Sequence, residues 1–273
     1  DFVGTDKRSR QKANREIARQ ARIRRQKMEK VRKRGLIFGV GIPVLVVALF
    51  GISNFTGSGD SNSASDTTEV AGPPTLETLP GRQITGATPC PKTDGTEERA
   101  TIFEKAPSMC IDAKKSYTAT FDTTEGEIVV ALDTKNTPNT VNNFVTLSNY
   151  GYYNKSYIFR TDPSIDIIQG GGASNIDDPG YTIKDEGTGF KYSAGDLVMA
   201  RSSGENSGGG QFFFVTGPKA SVLDSQGTYV TFGKVTSGLD ITQKILGLNS
   251  GEGDLGGAPS RAVEIRSITI TAK

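Results

Sequence analysis

The sequence predicts a mainly β protein, a closed β-barrel capped by two helices and preceded by one transmembrane helix. Three observations lead to this prediction. Between residues 116 and 273, many short segments alternate apolar and polar residues and are separated by glycine. Only two segments in that range repeat apolar residues at helical spacing. Upstream, Gly35–Phe55 is a run of 21 mostly apolar residues without a charge, long enough to cross a bilayer as a helix.

A strongly basic tail, residues 1–34, stands directly before this apolar run. It holds 14 Lys and Arg against four Asp and Glu, a net charge of +10. Because basic residues beside a membrane span favour the cytoplasmic side, we expect a cytoplasmic tail at 1–34, an uncleaved signal-anchor at 35–55 and the remainder outside. A cleaved signal peptide is the main alternative, and a buried soluble helix is a weaker one.

The segment after the predicted span has the composition of a linker. Residues 56–89 are rich in Gly, Ser, Thr, Asp and Pro, which predicts a flexible tether. The next segment, 90–115, contains both cysteines of the chain, Cys90 and Cys110. If the body lies outside the membrane, its compartment is oxidising, and we expect a disulfide between them. Two free thiols are the alternative.

The remaining segment, residues 116–273, contains the predicted barrel. Tyr117–Asp122 and Glu127–Asp133 alternate around a short turn and predict a β-hairpin. Thr137 as N-cap and Pro138 at the first helical position then begin a helix that ends near Tyr150. The remaining predicted elements are a short helix over Leu239–Leu246 and the strands Ile165–Gln169, Leu197–Ala200, Gln211–Val215, Tyr229–Val235 and Val263–Thr271.

The composition excludes several classes of functional site. The chain contains no histidine, which excludes Ser-His-Asp and Cys-His catalysis and any His-ligated metal. Two cysteines are too few for a structural zinc site or an iron–sulfur cluster. No glycine-rich loop ends in Gly-Lys-Ser/Thr, and residues 35–273 carry a net charge of −8. We therefore expect no cofactor, no metal ion and no nucleic-acid partner.

Four segments carry motifs in a recognisable order: Thr137–Ser156, Ile158–Gly171 with its IFR and QGG ends, Leu197–Val215 and Leu223–Asp240. Together they resemble the cyclophilins, a family of peptidyl-prolyl cis-trans isomerases, over residues 116–273. The layout of tail, span, linker and two-cysteine segment resembles the membrane-anchored envelope cyclophilins of high-GC Gram-positive bacteria. The resemblance implies an eight-stranded antiparallel barrel with a packed interior, a helix at each end and an active groove on its outer face.

The resemblance also implies roles for individual residues. Arg160 would be the catalytic guanidinium, and Gln169 would orient it and the substrate. Phe213 would form the floor of a proline pocket, with Leu223 and Ile167 as its walls. The other substrate-binding positions would be Ile165, Ala200, Arg201, Gln211 and Tyr229. For each of these residues, a place in the barrel core or in an ordinary surface contact is the alternative.

Several positions depart from the family pattern. Phe159 stands where the family usually has histidine, and Val222 stands where a bulky aromatic residue is common. The stretch Thr161–Asp166 has one extra residue and places Asp162 and Asp166 where the family is mostly apolar. We expect these changes to make the rim of the groove shallower and more polar, and to reduce turnover.

The leading functional hypothesis is a membrane-anchored isomerase that assists the folding of exported proteins. It would bind proline-containing segments of unfolded chains, and we expect it to be a monomer. The alternative hypothesis is a cyclophilin-like module with weak or no activity that holds a proline-containing segment of an envelope partner.

Overall fold

A barrel and an N-terminal arm make up the part of the protein that the computed structural model describes, residues 80–172, 174, 177–251 and 256–273. The predicted tail, the predicted span at 35–55 and most of the predicted linker lie outside these residues. Among the residues described, no helix combines the length and the apolar character needed to cross a membrane.

Strands dominate the described residues, as the alternating segments predict. The strands are β1 Arg82–Ile84, β2 Ala100–Phe103, β3 Tyr117–Thr123, β4 Gly126–Leu132, β5 Ser156–Asp162, β6 Ile167–Gly172, β7 Asp196–Arg201, β8 Gly208–Val215, β9 Thr231–Ser237 and β10 Val263–Ala272. The helices are α1 Pro138–Asn149 and α2 Leu239–Leu246, with a 3₁₀ helix at Pro218–Ser225. Strands β3 to β10 close into an antiparallel barrel in the order β10-β3-β4-β9-β7-β8-β6-β5. The mainly β, eight-stranded closed barrel with two helices is confirmed.

Two predicted strands begin later than expected. The prediction Ile165–Gln169 starts two residues too early, because Asp166 has a φ of 51°, a left-handed conformation that interrupts an extended strand. The prediction Tyr229–Val235 also starts two residues too early. The backbone N–H of Tyr229 donates to the Tyr192 hydroxyl, and this hydroxyl donates to the Tyr229 carbonyl. The Tyr192 hydroxyl therefore binds both the N–H and the carbonyl of Tyr229, in place of a neighbouring strand.

The barrel interior is filled with aromatic side chains. Phe121 of β3 lies 5.5 Å from Phe212 and 5.2 Å from Phe214 of β8, measured between ring centroids. Phe144 of α1 covers one end and lies 5.3 Å from Phe232 of β9. All five side chains are fully buried. Because the interior is packed in this way, a substrate site on this barrel lies on its outer face.

Helix α1 begins at the predicted position but is capped by a different residue. Thr137 occupies the N-cap, yet its hydroxyl donates to the Asp133 carbonyl and makes no cap bond. Instead, the carboxylate of Glu186 accepts the backbone N–H of Asn139 at 3.0 Å and of Thr140 at 2.6 Å. An anionic group at a helix N-terminus stabilises the helix and here attaches the loop between β6 and β7 to it. Helix α2 has the predicted bounds.

Residues 80–115 form an arm that packs against α1 and the barrel. Strand β1 pairs in parallel with β2 and lies inside the range 56–89 that the sequence predicts as a linker, so the folded part begins earlier than predicted. Arg99, just before β2, donates hydrogen bonds to the carbonyls of Gly151, Tyr152 and Asn154, which follow α1. The arm is therefore attached at the C-terminal end of this helix.

A disulfide joins Cys90 to Cys110, as predicted, with Cα atoms 5.3 Å apart. It closes a loop with a sequence separation of 20. In the chain-entropy description, a loop of this length stabilises the fold by about 3 kcal/mol. Asn142 of α1 accepts the backbone N–H of Cys110 at 2.7 Å, which connects the disulfide loop to the helix.

Candidate active site

A second apolar cluster lies on the outer face of the barrel, apart from the interior. Neighbouring residues of a strand point to opposite faces, so Phe212 and Phe214 enter the interior while Phe213 points outward. The same alternation applies to β6 and β7. We call this set the outer cluster; its buried members are Ile167, Tyr192, Val198, Ala200, Phe213, Val215 and Ala220, and the partly buried Ile165, Phe190, Leu223 and Tyr229 pack against them.

Strand register places polar and apolar residues side by side on this outer face. Arg160 of β5 pairs with Gln169 of β6, and Gln169 pairs with Phe213 of β8. Phe213 in turn pairs with Val198 of β7. Gln211 lies two residues before Phe213 and therefore shares its face. The predicted guanidinium, its predicted orienting amide and the predicted pocket floor are thus neighbours in one row across the sheet.

The polar residues of this row form a continuous chain of hydrogen bonds. Arg160 Nη1 donates to Gln169 Oε1 at 3.0 Å. Gln169 Nε2 donates to Gln211 Oε1 at 3.0 Å, and Gln211 Nε2 donates to the Asp177 carbonyl at 2.8 Å. The Arg160 side chain is 28% exposed, so its guanidinium is both held by the protein and accessible from the groove.

Tyr229 forms an edge of the outer cluster and is held from two sides. Its ring lies 5.9 Å from the Phe213 ring, nearly perpendicular to it. The Arg201 guanidinium covers the Tyr229 ring at 4.4 Å from the centroid. Arg201 also pairs with Asp185 at 3.1 Å, and its side chain is only 7% exposed. The structure therefore assigns the Arg201 side chain to fixing the groove wall, a contact that the sequence did not predict.

Tyr192 connects this wall to the backbone beneath it. Burial raises the pKa of Tyr192 from its ordinary value to about 12, so its hydroxyl stays protonated well above neutral pH. It can then donate to the Tyr229 carbonyl while accepting the Tyr229 N–H.

The altered stretch Thr161–Asp166 does not make the rim more polar through its carboxylates. Asp162 and Asp166 are both buried. Asp162 accepts a hydrogen bond from Arg160 Nη2 at 2.7 Å, and Asp166 accepts the backbone N–H of Lys219 at 2.9 Å. Both acidic groups turn into the protein because each finds a donor there. The expectation of a polar rim from these two residues is wrong.

Some residues of the site escaped prediction from sequence. Tyr192 and Val198 belong to the outer cluster, and Asp162 binds the predicted guanidinium. Val198 had a usable signal, because it lies two residues from Ala200 in a predicted strand and must share its face. Asp162 lies two residues after Arg160 in β5, so strand alternation places both on one face, but the sequence analysis did not predict the contact between them.

A metal site needs several ligand side chains close together. Within the described ranges, no three or more Cys, Asp or Glu side chains are grouped so that they could hold a metal ion.

The family of this chain follows from comparison with known proteins. The family model described as cyclophilin type peptidyl-prolyl cis-trans isomerase/CLD matches residues 118–270, more than half of the chain. The chain belongs to the cyclophilin family. The matched range begins in β3 and ends in β10, so it covers the whole barrel, and the arm with its disulfide precedes it.

The match with this chain extends over most of the length of individual cyclophilins. Peptidyl-prolyl cis-trans isomerase A of Dickeya dadantii is 33% identical over 158 residues, 55% of this chain and 83% of that protein. Peptidyl-prolyl cis-trans isomerase B of Bacillus subtilis is 39% identical over 112 residues, 40% of this chain and 75% of that protein. A crystal structure of a cyclophilin type isomerase of Cryptosporidium parvum superposes with a TM-score of 0.50 and 26% identity, covering 58% of this chain and 99% of that one. Cyclophilins are peptidyl-prolyl cis-trans isomerases, and this is the function of the chain's barrel domain.

Proposed function

We propose that the domain isomerises X-Pro bonds in the groove between Arg160 and the outer cluster, and that its substrates are exported proteins outside the membrane. The main evidence for this site is the row of paired residues Arg160, Gln169 and Phe213 on one face of the barrel. It places a held, accessible guanidinium beside an apolar pocket. An X-Pro bond presents both matching features, a polar amide and an apolar ring.

The proposed mechanism needs neither a nucleophile nor a proton relay. Amide resonance sets a barrier of roughly 18–20 kcal/mol to rotation about the X-Pro bond. When the bond twists, resonance is lost and the lone pair becomes localised on the prolyl nitrogen. An N–H of Arg160 donating to this nitrogen stabilises the twisted amide more than either planar form, and only such differential stabilisation accelerates the reaction. Because the hydrogen bonds of the folded protein already orient the guanidinium, little reorganisation is needed during the reaction.

The remaining groove residues hold the two sides of the bond. Phe213, Ile167 and Leu223 would hold the proline ring while the acyl side rotates. Gln211 would shape the space for the residues before proline. Ile165 and Tyr229, which pack against the outer cluster, would add to the substrate-binding surface. The backbone of Ala200 and Arg201 would bind the extended peptide.

The activity is tested on the full 273-residue chain, purified in a mild detergent. Cis-trans exchange of a short X-Pro peptide is followed by two-dimensional NMR exchange spectroscopy. We expect exchange to accelerate from the uncatalysed time of tens of seconds or more to below one second. Peptide chemical-shift changes without faster exchange would instead support a binding module. The altered stretch Thr161–Asp166, which departs from the family pattern beside the proposed catalytic group, is the observation that favours this second candidate.

The proposed location is supported by the charge pattern of the N-terminal segments and by the disulfide of the arm. A tail of net charge +10 before an apolar run favours a cytoplasmic N-terminus, and disulfides persist in oxidising compartments. In intact cells that produce the full chain, we expect a protease added outside to digest the barrel while residues 1–34 stay protected. Protection of the barrel until the membrane is permeabilised would contradict this location. A cytoplasmic marker protein serves as the control for cell integrity.

A further inference from the structure

Asp162 is a buried carboxylate directly beside the proposed catalytic group. Its side chain is 2% exposed and lies 2.7 Å from Arg160 Nη2. Its other oxygen, Oδ1, accepts the backbone N–H of Ser164 at 3.1 Å and the Ser164 hydroxyl at 2.5 Å. Burying a carboxylate is unfavourable unless it is paired and hydrogen-bonded, and both conditions are met here. Ser164 fixes the carboxylate, and the carboxylate fixes the guanidinium.

The two terminal nitrogens of Arg160 are therefore held by different parts of the protein. Nη1 is bound to Gln169, which belongs to the amide chain across the sheet. Nη2 is bound to Asp162, at the end of β5. A planar guanidinium held at both terminal nitrogens has a defined orientation as well as a defined position.

We propose that Asp162 is a positioning residue for isomerisation, which sets the orientation of the Arg160 guanidinium towards the prolyl nitrogen. This inference rests on the proposed role of Arg160. It gives a function to Asp162, an acidic residue at a position where the family is mostly apolar.

The carboxylate has two opposing effects on the reaction, and the geometric one should dominate. Its negative charge reduces the positive potential of the guanidinium, which weakens the bond to the prolyl nitrogen. However, twisting an amide localises a lone pair without creating a net charge, so this electrostatic loss is small. A displacement of about 1 Å, by contrast, can cost a catalytic site on the order of 100-fold. We therefore expect removal of the acceptor to lower turnover.

The test compares two substitutions that keep the approximate shape of aspartate in the full chain, Asp162→Leu and Asp162→Asn. The amide oxygen of Asn can still accept from Arg160, whereas Leu offers no acceptor. Peptide exchange measured over a range of peptide concentrations separates kcat from KM. We expect Asp162→Leu to lower kcat about tenfold with little change in KM, and Asp162→Asn to stay within about threefold of the unsubstituted chain. Asp166→Asn, a buried carboxylate of the same stretch that binds Lys219, is the matched control and should leave both constants unchanged.

A double substitution separates positioning from a general effect on the fold. If Asp162 acts through Arg160, Asp162→Leu should have no further effect in a chain that carries Arg160→Ala. A kcat that is unchanged or raised in Asp162→Leu, or a change in KM alone, would overturn the inference while leaving the role of Arg160 intact. Full turnover of the Arg160→Ala chain would overturn the proposed function itself. If circular dichroism finds Asp162→Leu unfolded, Asp162→Ala takes its place in the same comparisons.

Discussion

The Arg160→Lys variant is expected to lose about 100-fold in kcat/KM for X-Pro isomerisation while its free energy of unfolding stays within about 1 kcal/mol of the unsubstituted chain. Loss of one preorganised donor in an active site typically costs 10²–10³ in rate. Lysine keeps a positive charge for Asp162, but it lacks the planar fork that reaches Gln169 and the prolyl nitrogen together. NMR exchange measures the activity, and urea unfolding measures the stability.

Arg160→Ala tests the catalytic role less directly than Arg160→Lys, because the structure predicts that it also lowers the stability of the fold. An exposed groove residue would cost less than about 1 kcal/mol on substitution. Here alanine leaves the buried Asp162 carboxylate without its cationic partner, so a loss of about 1–3 kcal/mol is expected. Arg266→Lys is the matched control, because Arg266 pairs with Asp122 on β10 and β3, away from the groove, and should retain full activity. Activity of Arg160→Lys within about threefold of this control would refute the catalytic role of Arg160.

Local sequence patterns predicted the bounds of a barrel strand well where apolar and polar residues alternate along the whole strand. Strands β3 and β4 lie within a residue or two of their predicted bounds, because each has one face in the interior and one exposed. Two of the errors lie where a tertiary contact overrides the local pattern. The left-handed Asp166 delays β6, and the Tyr192 hydroxyl delays β9. The pairing of β1 with β2 joins segments about 18 residues apart and has no local signature.

The candidate site was predictable in its residues but not in all its contacts. The family motifs name Arg160, Gln169 and Phe213, and the register places them side by side. The family pattern does not include a carboxylate on the second edge of the guanidinium. The sequence reveals Asp162 only as a departure, and its inward direction follows from the hydrogen bonds that Arg160 and Ser164, each two residues away, donate to it in the folded chain. The same applies to the Arg201 guanidinium on the Tyr229 ring, which requires the folded loop around Asp185.

The Phe213→Ala variant is expected to lose about 30- to 100-fold in kcat/KM and roughly 3–5 kcal/mol in stability. Truncating a buried phenylalanine leaves a cavity, which accounts for the loss of stability. The activity falls because the proline ring loses the apolar floor that keeps it still, and burial of a group of this size is worth about 2–3 kcal/mol. Peptide exchange and urea unfolding, measured on the same preparation, give the two values.

Phe214 provides a control from the same strand. It is buried, as Phe213 is, but points into the interior, where it contacts Phe121 instead of the outer cluster. Phe214→Ala should therefore lose a similar amount of stability yet keep kcat/KM for the fraction that remains folded. Where either variant is too unstable to assay, the milder Phe213→Leu and Phe214→Leu carry the comparison. An equal loss of kcat/KM in the two variants would mean that the activity falls because the fold is destabilised. Phe213 would then be a core residue and not part of a proline pocket.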